Sequence, residues 1–139
     1  MDVFTRLFIK IHVLFYQLSG GLLGGYMAGQ SVLLLHTTGR KSGRNYIIPI
    51  NYYPDNNNYV VVASNWGKDY HPGWFINLQH NPTTTIQIKS RKITVTAHSA
   101  SGDDYDRLWQ YVSSRNKFYN RYQVQTTRKI PLVILTPVD

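Results

Sequence analysis

The sequence predicts an α+β fold, mainly antiparallel β, with the sheet closed into a barrel and helices packed around it. Three observations carry this. Short β-branched and aromatic runs recur along the chain. Clusters of Pro, Asn, Gly and Ser separate them. Only three segments place apolar residues at three- and four-residue spacing. A length of 139 residues suits a single domain spanning 1–139.

The first helical segment runs over 3–18. Phe4, Leu7, Phe8, Ile11, Leu14, Phe15 and Leu18 form its apolar stripe, with Arg6, Lys10, His12 and Gln17 off it. Such a stripe either packs on the barrel or, being basic and aromatic, rests on a membrane surface. Ser19, Gly20 and Gly21 end it. A glycine-rich connector follows, without the spacing of a dinucleotide fingerprint. Strands are expected at 32–37, 46–53 and 59–64, the last after the turn Pro54-Asp55-Asn56-Asn57-Asn58. A hairpin is expected from 84–89 and 93–100 around Ser90-Arg91-Lys92, and a final strand at 132–136. Helices over 72–80 and 104–116 interrupt them. Pro72 suits the first turn of one, and Ser101 or Asp103 caps the other.

Composition narrows the chemistry. Fifteen Lys and Arg against seven acidic residues give a net charge of +8, and all seven acids are Asp. That surplus attracts polyanions. It also speaks against paired-carboxylate catalysis and carboxylate-bound metals. With no cysteine, thiolate catalysis and cysteine zinc sites are excluded. The histidines His12, His36, His71, His80 and His98 lack the paired spacing of a zinc helix, so no metal is expected. The sequence shows no secretory signal or bilayer-spanning run, which points to a cytoplasmic protein, with membrane association open through the first helix.

Chemistry concentrates in three stretches. Thr37-Thr38-Gly39-Arg40-Lys41-Ser42-Gly43-Arg44 sets three cations, three hydroxyls and two glycines between two strands. It reads equally as a solvated turn or as a grip for a phosphate or carboxylate. Ala63-Ser64-Asn65-Trp66-Gly67 closes an apolar strand with small residues that admit a flat ligand. His71-Pro72-Gly73-Trp74-Phe75-Ile76-Asn77 begins a short aromatic helix which, taken alone, reads as packing.

The order TTGRKSG, a proline at Pro49, VVVASN, HPGWFINLQHNP and IPLVIL resembles the deazaflavin-dependent nitroreductase family over nearly the whole chain. The resemblance implies a split β-barrel related to FMN-binding barrels. It implies coenzyme F420, a deazaflavin with a phosphate and an acidic polyglutamate tail. By the same resemblance the cofactor residues are Thr38, Gly39, Arg40, Lys41, Ser42, Gly43 and Arg44 at the tail, together with Pro49. Ala63, Ser64, Asn65, Trp66 and Gly67 lie along the ring, and Pro72, Trp74 and Asn77 close the site. Tyr119 and Tyr122 line the substrate side as catalytic donors. The chain departs from the family at Tyr46, where an Arg is common, at Trp66 and at His36.

The activity implied is an oxidoreductase passing a hydride from reduced F420 to a small-molecule acceptor such as a quinone, enone or nitroaromatic. The alternatives are an FMN-dependent reductase and a nonenzymatic flavin- or deazaflavin-binding module. Nucleic-acid binding ranks below these, because the cations are spread along the chain rather than massed. The protein is expected as a monomer or homodimer.

Overall fold

The computed structural model describes residues 2–27 and 29–138. Residues 1 and 139, the outermost of the single-domain expectation, lie outside this range, as does Ala28 in the connector.

Helix α1 (Val3–Ser19) begins where the Asp2 carboxylate accepts from the Thr5 N–H at 2.7 Å. It ends at Gly20, whose left-handed φ of 62° lets its N–H return to the Tyr16 carbonyl. Eight strands follow: β1 (Tyr26–Met27), β2 (Gln30–Thr38), β3 (Asn45–Asn51), β4 (Tyr53–Asp55), β5 (Asn58–Val62), β6 (Thr83–Ile88), β7 (Arg91–Ser99) and β8 (Leu132–Pro137). A 3-10 turn (Asn65–Gly67) and α2 (Gly73–His80) lie between β5 and β6. Helices α3 (Gly102–Arg115) and α4 (Phe118–Gln125) lie between β7 and β8.

All pairings are antiparallel. The sheet runs β1-β2-β6-β7-β8-β5-β4, with β3 paired to β2 alone, and it curls into a half-barrel. Because β3 lacks a second ladder, Pro49, opposite Leu34, breaks no hydrogen-bonded pairing on a far side.

Strand periodicity distributes the core over both sheet faces. Leu33 and Leu35 of β2, Val61 of β5, and Val133 and Leu135 of β8 share one cluster with Phe75 and Leu78 of α2. Their sequence neighbours turn the other way. Val60, Val62, Leu132 and Ile134 meet Tyr105, Leu108 and Val112 of α3 and Tyr119 of α4. Val32 and Leu34 meet Val13 and Tyr16 of α1. The middle strands are buried on both sides and so read as continuous apolar runs.

The first helix corrects an expectation. Its packed side is Ile9, Val13 and Tyr16, not the stripe. Phe4 is 83% exposed, Phe8 64% and Leu18 77%, and Leu22 beyond the helix is 87%. The helix docks instead through the buried Tyr16 hydroxyl. That oxygen donates toward the Val32 carbonyl at 3.0 Å and the Gln87 carbonyl at 3.2 Å, and accepts from the Lys89 N–H at 2.7 Å. One polar anchor of this kind needs few apolar neighbours on its own side.

Candidate functional site

The β2–β3 connection, residues 39–44, folds on itself. The Gly39 N–H donates to the Arg44 carbonyl at 2.7 Å and the Gly43 N–H to the Gly39 carbonyl at 2.9 Å. A Cβ on Gly39 would stand 2.6 Å from Ser42 Oγ and 2.9 Å from the Tyr46 ring, so a larger residue there would have to displace both side chains. Arg40, Lys41 and Arg44 are exposed. None has a carboxylate partner among the described residues, where the ion pairs found are those of Arg107 with Asp55 and Asp104. Three cations without counter-charge at one loop suit an acidic ligand.

Asn77 ties this loop to α2. Its carbonyl oxygen accepts from the Arg40 backbone N–H at 3.2 Å and from Arg40 Nη1 at 2.9 Å. Its amide donates to Thr37 Oγ1 at 3.3 Å. Buried as it is, Asn77 sets where Arg40 sits, and the guanidinium keeps further N–H groups for a ligand. Trp74 is half-buried and edges against Phe75. Pro72 stands at the N-cap of α2 rather than in its first turn.

The strand-end segment carries local strain. Asn65, Trp66 and Gly67 take φ of 47°, 54° and 75° in succession, a left-handed run that side chains on two of them oppose. Gly67 lies against α4, where a Cβ would meet Gln125 Oε1 at 2.3 Å and the Tyr122 backbone at 2.9 Å. Trp66 is exposed, with Lys68 Nζ 5.4 Å from its ring centre.

One residue that the sequence did not single out joins these parts. The Arg128 guanidinium donates through Nε to the Lys68 carbonyl at 2.8 Å and through Nη2 to the Ser64 carbonyl at 2.6 Å. Its Nη1 reaches the Ala63 carbonyl at 3.2 Å and His71 Nδ1 at 3.0 Å. Burial, then the Arg128 charge, hold His71 below the ordinary imidazole value. Because a guanidinium only donates, His71 accepts at Nδ1 and carries its proton on Nε2. No local pattern exposes Arg128, because its partners are mostly backbone carbonyls about sixty residues earlier.

The two tyrosines separate. Tyr122 is half-buried beside Gly67, stacks on Phe118 at 6.2 Å, and its hydroxyl has no hydrogen bond among the described residues. Tyr119, expected on the substrate side, points into the second core. Its hydroxyl meets the Tyr53 hydroxyl at 2.9 Å, and burial pushes its ionisation far above the ordinary phenol. Tyr122, three residues on and on the same side of the helix, packs only at the rim of that cluster and stays half-buried. The helix itself was not expected, since only sparse apolar residues mark it.

A hollow of about 330 Å³ lies at the far end of α2, lined by residues including Leu78, Pro82 and Val133, and another of about 470 Å³ lies on the outer face of α4. The loop cations line neither.

The family model described as F420H(2)-dependent quinone reductase matches residues 8–137. An F420H(2)-dependent quinone reductase of Mycobacterium tuberculosis is 37% identical over 132 residues, covering 92% of this chain and 89% of the relative. The solved F420-H2 dependent reductase FDR-A superposes with a TM-score of 0.69 at 32% identity, over 75% of this chain and 92% of its own. A solved domain-swapped dimer superposes at 0.72 and 28% identity, over 91% and 92%.

Proposed function

The chain belongs to the F420H(2)-dependent quinone reductase family, and on that premise we propose that it reduces a small-molecule quinone at the face bounded by the β2–β3 loop, the 63–67 segment, α2 and α4, with α1 resting on an anionic lipid surface. F420 rather than FMN is the cofactor of this family, and when reduced it supplies a hydride. The residues divide the remaining work. Thr38, Gly39, Arg40, Lys41, Ser42, Gly43 and Arg44 hold the acidic tail through cations and amides, with Pro49 stiffening the strand behind them. Ser64, Asn65 and the exposed Trp66 ring face the cofactor's ring, with the buried Ala63 and Gly67 setting the segment from behind, and Pro72, Trp74 and Asn77 flank it. Tyr122 donates a hydrogen bond to a quinone oxygen. The quinone gains two electrons and two protons; the hydride brings both electrons and one proton, and solvent the other.

The observation that carries this reading is the loop itself: three exposed cations without an acidic partner among the described residues, one of them oriented by the buried Asn77. The test is titration of F420 into the protein, followed by the cofactor's fluorescence. The double variant Arg40→Glu/Lys41→Glu should weaken binding by about tenfold or more, the worth of one or two charge-assisted hydrogen bonds. An unaltered Kd in that variant would remove the loop from the site.

The lipid contact rests on charge as well as exposure. Arg6 and Lys10 lie on the helix, and the β6–β7 turn brings Lys89 beside its end, with Arg91 and Lys92 following at the start of β7. A Cβ on Gly21 would stand 2.7 Å from Lys89 Cα. An apolar face rimmed by cations matches an anionic headgroup layer.

A further inference from the structure

We propose that Arg128 is a positioning residue that holds the left-handed run 65–67 in place, between Ser64 and Lys68, so that this segment can receive the cofactor ring. The proposal rests on the reading that this segment faces F420. Its own basis is geometric. The guanidinium takes the carbonyls of Ala63 and Ser64 on one side of the strained run and that of Lys68 on the other, and His71 completes its set. Between those anchors lie the three successive positive φ values. Left-handed backbone on residues with side chains persists only where the surroundings fix it.

The anchor is itself held. The Arg128 N–H donates to Thr126 Oγ1 at 3.3 Å. Gln123 of α4 donates to the Arg128 carbonyl at 2.7 Å and accepts from the Ile130 N–H at 2.9 Å. The cation thus links α4, which bears Tyr122, to the strand end that Gly67 presses against α4. No carboxylate pairs with Arg128 among the described residues, so its donors go to carbonyls and an imidazole rather than to an ion pair. Four acceptors at fixed, separate positions need a planar fork with several N–H groups. A lysine ammonium, with three donors at one point, cannot span them.

The test compares wild type, Arg128→Lys and Arg128→Ala. The first readout is hydrogen–deuterium exchange of the 63–71 region without F420. Exchange there should rise about tenfold in both variants while the α1 and β6–β7 regions stay as in wild type, the signature of a local opening. The second is F420 affinity and kcat with a water-soluble benzoquinone. Both should worsen in Arg128→Lys, and millimolar guanidinium should restore part of the turnover of Arg128→Ala but none of Arg40→Ala. Unchanged exchange in Arg128→Lys overturns the clamp. Raised exchange with wild-type F420 affinity and kcat would show a clamp on a segment that the ring does not touch, which overturns the functional half and with it the assignment of 63–67 to the ring.

Discussion

Two tyrosines three residues apart make the sharpest contrast at the residue scale. Tyr122 is half-buried and its hydroxyl has no hydrogen bond among the described residues, whereas the Tyr119 hydroxyl is held by Tyr53 inside the core. Tyr122→Phe should therefore lower kcat by roughly ten- to a hundredfold with little change in Tm, as expected for loss of a donor at a reacting oxygen. Tyr119→Phe leaves the buried Tyr53 hydroxyl without its partner, at a cost of about 1–3 kcal/mol, and should lower Tm while sparing turnover. Equal effects of both changes on kcat, at equal Tm, would return Tyr119 to the site. The stretches proposed as the site stand out in the sequence because glycines, cations and prolines cluster within short words. Arg128 does not, because a guanidinium that satisfies distant carbonyls leaves no trace in its own neighbourhood.

At the scale of elements, strands were legible where alternation or apolar runs are long, as in β2, β5 and β8. The two-residue β1, the three-residue β4 and α4 were not, since each is stabilised by what it packs on rather than by its own pattern. Helix α1 was found with nearly its true ends, but its facing could not be read. A stripe records that a helix is amphipathic, not which side meets the protein. If the stripe meets lipid, the protein should cosediment with vesicles containing phosphatidylglycerol and much less with pure phosphatidylcholine. Phe4→Ser/Phe8→Ser should abolish this without lowering Tm, because neither ring is buried. A concentration-dependent dimer that those changes dissolve, with no vesicle binding, would assign the face to a second copy.

For the whole molecule, proton binding makes a separate prediction. His36 and His71 are both held below the ordinary imidazole value of 6.5, His36 by burial and then by Lys92. The unfolded chain therefore takes up protons at higher pH than the folded one. Stability is complete above about 6.5 and falls as pH drops from there toward the lowered folded values. Asp55, held down mainly by its Arg107 hydrogen bonds, acts in a separate window below its ordinary 3.8. His36→Thr should flatten the slope of Tm between pH 7 and 5 and leave the more acidic limb in place. A slope as steep as wild type would mean that His36 is not held neutral in the fold. Among the described residues no helix is long and apolar enough to cross a membrane.

The double-sided burial of β2, β5 and β8 has a consequence for how the chain finds its alignment. A strand with one wet face is penalised as soon as it slides by one position, since greasy groups then meet water. Here a slide would trade one oily chamber for another at small cost. The choice must fall to the few buried polar atoms that accept only one address: the Asn51 amide on the Met27 and Gln30 carbonyls, and the Tyr105 hydroxyl on that of Ile130. Grease assembles this protein, and a handful of hydroxyls and amides tell it where to stop.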